Sequence, residues 1–148
     1  MRQNKNVLII GIDSLIGKNL SSIYEKNGWN VFGTSRKKNN YKNVLFLDLD
    51  QNVSDLSLDY YQVCIFCAAI TNIEQGEKEP LQTRRINVLN TMEILKECNR
   101  LNIFTIFLSS DLVFSGKKIF PDVKDEAVPS TFTGICKLEV EKFINSLN

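Results

Sequence analysis

Near its start the chain reads VLIIGIDSLIG over residues 7–17. The run opens with four consecutive apolar residues, as a buried strand does, and apolar positions then recur at helical spacing from Leu15. A turn bracketed by Gly11 and Gly17 separates the two patterns. Glycine allows a tight reversal at the first of these positions and close packing of the helix on the strand at the second. We therefore predict a strand, a tight turn and a helix.

The same turn has a spacing that suits a pair of linked phosphates. In the usual pattern, G-x-x-G-x-x-G, the helix N-terminus directs unpaired N–H groups and a partial positive charge at a dinucleotide pyrophosphate. Here Ser14 replaces the middle glycine. Its Cβ leaves less room for the pyrophosphate to approach the turn, while its hydroxyl can donate a hydrogen bond to the pyrophosphate. A turn that binds nothing fits the same residues. If the turn binds a dinucleotide, the candidate residues are Gly11, Ser14, Leu15, Ile16 and Gly17.

Composition and charge indicate one globular domain over residues 1–148. Hydrophobic residues make up 43% of the chain and charged residues 24%, which is ordinary for a soluble protein with one core. The net charge of +1 gives no indication of a nucleic-acid or membrane-surface partner. No apolar run has the length of a signal-peptide core at the N-terminus or of a membrane span elsewhere, so we expect a cytoplasmic protein.

Metal and thiol chemistry have little support in the sequence. Histidine is absent, which removes the commonest general base and the commonest metal ligand. Cys64 and Cys67 form a C-x-x-C pair, but both lie in the apolar run 63–69, and no second pair completes a zinc site. We predict buried thiols and no bound metal.

Strand and helix patterns alternate along the chain. We predict strands at 6–10, 29–34, 44–47, 62–67 and 103–108, helices at 15–27, 80–100 and 131–147, a polar loop at 37–42, an irregular or helical connection at 51–60 and a long loop at 115–130. In the first helix, Leu15, Ile16, Leu20 and Ile23 recur on one face. Right-handed crossovers imply an α/β Rossmann-type doubly wound parallel sheet in the order 3-2-1-4-5, with a ligand crevice at the carboxyl ends of the first and fourth strands.

The residues after the second and third strands bear on the adenosine half of a dinucleotide. An acidic residue after the second strand would accept hydrogen bonds from the ribose 2′-hydroxyl and select NAD. This chain has Ser35 there, followed by Arg36 and two lysines, and a guanidinium can fork onto a 2′-phosphate. These residues favour NADP, with NAD possible, although a solvated basic loop also fits them. Asp48 and Leu49 are candidates for the adenine contact, with a helix cap as the alternative for Asp48.

Several further motifs occur in a fixed order along the whole chain. They are GIDSLIG at 11–17, Asp48, CAA at 67–69, INV at 86–88, SSDLVFSG at 109–116, E-x-x-P at 126–129 and TGICK at 133–137. Together they resemble extended short-chain dehydrogenases/reductases, and most closely the dTDP-4-dehydrorhamnose reductase branch, which acts on nucleotide sugars. The family pattern S-[ST]-D-x-V-F-x-G is complete here, whereas Y-G-x-x-K lacks its tyrosine.

The resemblance implies hydride transfer between a nicotinamide and a sugar carbon. In the family a tyrosine hydroxyl passes the proton, a lysine four residues later lowers its pKa and holds the nicotinamide ribose, and a serine or threonine orients the carbonyl. The matching positions are Ser110 for the serine, Lys137 for the lysine and Asn87 for an asparagine that supports the site. Ala68 and Ala69 match residues beside the cofactor.

Two departures weaken the implied activity. Thr133 occupies the tyrosine position, and an aliphatic hydroxyl is a far weaker acid than a phenol, whose pKa of about 10 a neighbouring cation can lower. The family also has a substrate lobe after the last helix, and because the chain stops at Asn148 we expect that lobe to be absent. We therefore favour a weakened dinucleotide-binding partner subunit. The alternatives are an active NADP-dependent reductase of a 4-keto nucleotide sugar, completed by a partner chain, and a cofactor-free interaction module.

Oligomeric state is also implied by the resemblance. Related enzymes dimerise by packing the long helix and the final helix into a four-helix bundle, and here those are the helices predicted at 80–100 and 131–147. Apolar residues lie on more than one side of the last helix. We therefore expect a homodimer.

Overall fold

The computed structural model describes residues 5–38 and 42–147. The chain divides into two compact units. Unit 1 contains Met1–Ala68 and Ile94–Leu108, and unit 2 contains Ala69–Glu93 and Ser109–Asn148. The polar loop predicted at 37–42 falls partly outside the described residues. The expectation of one domain over 1–148 stays a prediction.

Unit 1 is built on a five-stranded parallel sheet. Its strands are β1 (Asn6–Ile10), β2 (Asn30–Ser35), β3 (Val44–Phe46), β4 (Val63–Phe66) and β5 (Phe104–Phe107). They lie in the order β3-β2-β1-β4-β5, which confirms the predicted α/β class and topology. Ile10 pairs with Thr34 on one side and with Phe66 on the other, so β1, β2 and β4 reach the same edge of the sheet together.

The core of unit 1 follows from the apolar strands. Every residue of β1 and β4 is buried, as expected for the inner strands of a parallel sheet. The central cluster consists of Val7, Ile9, Val31, Val63 and Ile65. Leu20, Tyr24 and Trp29 pack against it from α1 and from the loop before β2. This packing holds the first strand and the first helix in one rigid arrangement.

Helix α1 (Leu15–Lys26) begins where predicted, but of the predicted apolar face only Leu20 packs on the core. Leu15, Ile16 and Ile23 are 82%, 52% and 54% exposed. The buried face contains Gly17, with Leu20 and Tyr24 on the same side. The reason is geometric, because the tight turn forces Gly17 against the end of β1 and thereby sets the rotation of the whole helix.

Unit 2 is mainly helical. It contains α2 (Ile73–Lys78), α3 (Pro80–Arg84), a π-helical turn (Arg85–Leu89), a 3₁₀ turn (Asp111–Val113) and α5 (Phe132–Ser146). The helix α4 (Asn90–Arg100) follows the π turn directly. The single helix predicted at 80–100 is therefore interrupted by a wider turn, and α2 was not predicted. Within the described residues, 115–130 carries no helix or strand, in agreement with the predicted loop.

The thiols and the helices bear on two classes of function. All four cysteines are free, and Cys64, Cys98 and Cys136 are buried. The prediction of buried thiols for the C-x-x-C pair is confirmed for Cys64 and wrong for Cys67, which follows the end of β4 and is only partly buried. A hydrogen bond with Cys98, together with burial, raises the pKa of the Cys64 thiol well above its ordinary value, which disfavours the reactive thiolate form. No helix in the described part of the chain has the length and apolar character needed to cross a membrane.

Candidate functional site

The turn after β1 has the shape predicted for a phosphate-binding turn. Gly11 has a φ of +81°, in the left-handed region that favours glycine. A Cβ at this position would lie 2.8 Å from Ala68 Cβ and 2.9 Å from Ala68 N, so the chain leaving β4 packs directly on the turn. The Gly11 N–H donates to Thr34 Oγ1 over 3.1 Å. The fold thus brings together two predicted cofactor residues, Gly11 and Ala68.

Gly17 provides the close approach predicted for it. A Cβ on this residue would lie 2.4 Å from the carbonyl oxygen of Gly11 and 2.9 Å from Ile12 Cα. Both of those atoms belong to the backbone, which cannot move aside as a flexible side chain can. The first turn of α1 therefore lies against the end of β1, with its N–H groups at the edge of the sheet.

Ser14, in place of the middle glycine, caps the helix that follows it. Its φ of −67° is ordinary for any residue, which explains why glycine is not required there. Its Oγ accepts a hydrogen bond from Gly17 N over 3.0 Å, and its own N–H donates to Gly11 O over 3.1 Å. The hydroxyl keeps a proton that it can donate. Leu15 and Ile16 lie in the first helical turn, where N–H groups have no acceptor within the helix.

A carboxylate that was not predicted from the sequence, that of Asp13, is hydrogen-bonded to the last residue of β2. Ser35 is only 5% exposed, and its Oγ donates to Asp13 Oδ2 over 3.2 Å while accepting from Lys37 N over 3.0 Å. Asp13 lies in the turn after β1. Arg36, the predicted 2′-phosphate ligand, follows Ser35 directly in the chain and is exposed. The available signal was the topology, because turns after adjacent parallel strands meet at the same edge.

Asp48 shapes the loop after β3. Its Oδ1 accepts a hydrogen bond from Asp50 N over 3.0 Å, which is an Asx turn. The alternative of a helix cap is wrong, because residues 51–60 form no helix. Leu49 is buried, so its side chain contributes to the core. An adenine contact at Asp48 and Leu49 stays a prediction.

In unit 2, Asn87 holds the segment that follows Ala69. It lies in the π turn and is 3% exposed. Its Oδ1 accepts from Ile70 N and its Nδ2 donates to Ile70 O, each over 2.8 Å. Both ends of the amide are therefore bonded to one residue's backbone, which is a supporting role rather than a reactive one. A π turn places a side chain where a regular helix would not, and such turns are common at functional sites.

Ser110, the predicted carbonyl-orienting serine, caps the 3₁₀ turn after it. Its Oγ accepts from Leu112 N over 3.2 Å and donates to Asp111 Oδ1 over 3.1 Å. Its neighbour Ser109 is tethered by a hydrogen bond to Glu141 of α5. This geometry gives Ser110 a capping role, and a role in orienting a carbonyl stays a prediction.

Thr133 is buried at the start of α5, with only 3% of its surface exposed. Its Oγ1 lies 3.3 Å from Thr131 Oγ1, within hydrogen-bond distance. A Cβ on Gly76 would lie 2.6 Å from Thr133 Cγ2, so the methyl group is packed against α2. A Cβ on Gly134 would lie 2.2 Å from Leu112 O, which places the start of α5 directly on the 3₁₀ turn after Ser110. The motif segments at 109–116 and 133–137 are thus in contact.

Lys137 is half-buried on α5, one helical turn after Thr133 and hence on the same side of the helix. Two contacts hold this helix in unit 2. Arg84 makes a bidentate ion pair with Glu139, both bonds being 2.6 Å long, and Glu77 accepts from Phe132 N over 2.7 Å. Burial raises the pKa of Cys136, so the thiol beside Lys137 is not an activated nucleophile.

Comparison with known proteins identifies the family to which the chain is similar. The sequence model of the RmlD substrate binding domain matches residues 5–148. The curated protein named methionine adenosyltransferase 2 subunit beta, from Bos taurus, is 30% identical over 146 residues; the match covers 95% of this chain and 43% of that protein. The chain therefore spans less than half the length of this relative.

Two solved structures share the fold closely. MoeE5 in complex with UDP-glucuronic acid and NAD has a TM-score of 0.84 at 21% identity, covering 96% of this chain and 49% of the other. The dTDP-4-dehydrorhamnose reductase from Bacillus anthracis, in complex with NADP, has a TM-score of 0.83 at 22% identity, and the match covers 100% of this chain and 51% of the reductase. At these identities the likeness concerns the fold, and this chain corresponds to about half of each.

Proposed function

The chain belongs to the family of RmlD substrate-binding domains, and on that premise we propose that it is a nicotinamide-dinucleotide-binding domain, weakened in catalysis, that acts as a binding or partner subunit. Membership confirms the predicted resemblance to dTDP-4-dehydrorhamnose reductases. The observation that carries the proposal is the contrast between an intact turn at Gly11–Gly17 and a buried threonine at the family's tyrosine position. The first binds a cofactor, and the second removes the group that would use it.

Dinucleotide binding is supported by the turn after β1. Gly11 and Gly17 bring the start of α1 onto the end of β1, and N–H groups in the first helical turn attract anionic groups. MoeE5 and the Bacillus anthracis reductase, which share this fold, are complexes with NAD and with NADP respectively. We assign the pyrophosphate to Gly11–Gly17 and the adenosine half to Ser35, Arg36 and Asp48. The cations after Ser35 favour NADP.

Weakened catalysis is supported by the environment of Thr133. Its hydroxyl is an aliphatic alcohol that lies against Thr131, and its methyl group fills the space beside Gly76. Such a group has neither the acidity nor the reach to give a proton to a keto sugar. Asn87 and Ser110 are both hydrogen-bonded to nearby backbone groups, so these two motif residues support the local backbone.

A partner role is supported by the name of the bovine relative, which is a subunit of methionine adenosyltransferase 2. Unit 2 also presents exposed apolar side chains on the helices proposed to associate, at Leu81, Leu89 and Ile135. We propose that these helices form an interface, in a homodimer or with an enzyme subunit. Light scattering of the purified chain, alone and mixed with a methionine adenosyltransferase catalytic chain, detects the homodimer and the complex with the enzyme subunit. A monomeric chain in both samples contradicts the proposed interface.

An active reductase is the second candidate, favoured by the complete SSDLVFSG segment and by the retention of Lys137. It requires a proton donor in place of the family's tyrosine, which a partner chain would supply. In this case cofactor oxidation with a 4-keto nucleotide sugar would be measurable in the complex, and Lys137→Ala would abolish it.

Calorimetric titration with NADP and with NAD tests the proposal directly. We expect binding, with no cofactor oxidation when a 4-keto nucleotide sugar is added, and a gain of oxidation in Thr133→Tyr. Absence of binding by either dinucleotide overturns the proposal in favour of a cofactor-free interaction module. Oxidation by the unmodified chain overturns the claim of weakened catalysis while leaving the cofactor assignment intact.

A further inference from the structure

An acidic and a basic residue are both linked to Ser35, at the carboxyl end of β2. Asp13 accepts a hydrogen bond from its hydroxyl, and Arg36 is the next residue in the chain. In the proposed dinucleotide site this is the place of the adenosine ribose. Its 2′ substituent is a neutral hydroxyl in NAD and a phosphate in NADP, so the balance of charge here decides between them.

The carboxylate of Asp13 is held in place, although its surface is exposed. The Ser35 hydroxyl that donates to it is almost completely buried and is itself fixed by the N–H of Lys37. Strands β1 and β2 are paired up to Ile10 and Thr34, so the turn that carries Asp13 and the residue that anchors it reach the same edge of unit 1. The second carboxylate oxygen and the second lone pair of Oδ2 can accept further hydrogen bonds.

We propose that Asp13 is a specificity-determining residue for the cofactor: its carboxylate accepts a hydrogen bond from the ribose 2′-hydroxyl and opposes a 2′-phosphate. The inference rests on the proposed dinucleotide site. Arg36 acts in the other direction, because a guanidinium pairs with a phosphate. The carboxylate therefore keeps NAD competitive in a loop whose cations would otherwise select NADP.

The expected size of the effect follows from charge interactions at an exposed site. A carboxylate and a phosphate a few ångströms apart at a protein surface repel each other, which weakens NADP binding several-fold. Removing the carboxylate also removes a hydrogen-bond acceptor for the 2′-hydroxyl of NAD. Both changes shift the ratio of the NAD and NADP dissociation constants in the same direction, by about tenfold in total.

Calorimetric titration of NAD and NADP into four proteins tests the inference: the unmodified chain, Asp13→Asn, Arg36→Ala and Glu25→Gln. Asp13→Asn has nearly the same shape and lies at an exposed position, so it is expected to fold normally. Glu25→Gln removes the same charge from α1, about 15 Å along the helix from Leu15, and serves as the matched control. Repeating the titrations at higher salt shows how much of the change in relative affinity comes from charge and how much from side-chain shape, because salt screens exposed charges.

We expect Asp13→Asn to raise the affinity for NADP relative to NAD by about tenfold, with a smaller shift at high salt. Arg36→Ala should shift the ratio toward NAD, and Glu25→Gln should leave it unchanged. An unchanged ratio in Asp13→Asn, or an equal shift in Glu25→Gln, overturns the inference while binding by the unmodified chain upholds the proposed function. If the unmodified chain binds neither dinucleotide, both fail.

Discussion

The turn after β1 and the start of α5 each contain one substitution in a family motif, and the two substitutions have different consequences. In unit 1, Ser14 replaces a glycine, keeps an ordinary backbone conformation and caps α1, so the shape of the turn survives. In unit 2, Thr133 replaces a tyrosine and is buried between Thr131 and Gly76, so the backbone shape survives but the reactive group does not. Binding geometry depends on the backbone, whereas proton transfer depends on one side chain.

The largest expected effect concerns the two glycines that hold each region together. Gly17→Ala and Gly134→Ala would place a Cβ 2.4 Å and 2.2 Å from backbone carbonyl oxygens, so each should lower the free energy of unfolding by about 3 kcal/mol or more. Urea denaturation measures this. Gly116→Ala is the control, because a Cβ there meets nothing within 4 Å, and the strain of its φ of +74° alone should cost about 1 kcal/mol. Equal losses in all three variants would contradict the close packing.

Asn87 provides the next test, because unit 2 depends on its amide. Asn87→Ala removes both bonds to Ile70 and leaves a buried N–H and a buried carbonyl without this partner, so we expect a loss of about 2–3 kcal/mol in unfolding free energy. Asn99→Ala, at an exposed position of α4, should stay within about 0.5 kcal/mol of the unmodified chain. A loss no larger than that of the control would show that the asparagine does not support the fold.

Paired substitutions at Thr133 separate its methyl group from its hydroxyl. Thr133→Ser removes the methyl group packed against Gly76 and should cost about 1 kcal/mol, whereas Thr133→Val keeps that packing and loses only a hydroxyl with a long contact to Thr131. Thermal denaturation should therefore give a higher melting temperature for Thr133→Val than for Thr133→Ser. The reverse order would mean that the hydroxyl carries the role of this position.

The smallest expected effect on stability is at Ser14. Replacing a serine cap by glycine costs a few tenths of a kcal/mol, and here it also frees Gly17 N from Ser14 Oγ and widens the turn. We expect Ser14→Gly to bind NAD or NADP several-fold more tightly. Ser14→Ala, which keeps the Cβ but loses the cap, should be about 1 kcal/mol less stable with no gain in affinity. Tighter binding in the alanine variant alone would reverse this interpretation.

Periodicity predicted strands well and helices less well. The five strands were found to within a residue or two at each end, because apolar runs bounded by turns are strong local signals. The buried face of α1 was predicted correctly only at Leu20, since apolar spacing cannot show that Gly17 must lie against Gly11. The π turn at Arg85–Leu89 was missed because the same residues are compatible with a regular helix.

The candidate site was predicted in part. Motif spacing singled out Gly11 and Gly17, and the family resemblance singled out Asn87. The structure shows the close packing of the two glycines and the hydrogen bonds of the asparagine to Ile70, while their roles in binding and catalysis stay predictions. The capping role of Ser110 emerged only in the structure, where its Oγ accepts a hydrogen bond from Leu112 N. Asp13 was missed because its partner Ser35 is 22 residues away, and no local pattern reports such a contact.

The sequence by itself determined the α/β class, the strand order and the family, because continuous apolar runs, short connections and right-handed crossovers leave few alternative topologies. Only the tertiary structure decided which polar groups are engaged and which are exposed. It placed the Asp13 carboxylate against Ser35 and buried Thr133 beside Gly76. Such contacts join residues far apart in the chain, and the packing of whole elements sets them rather than the local pattern.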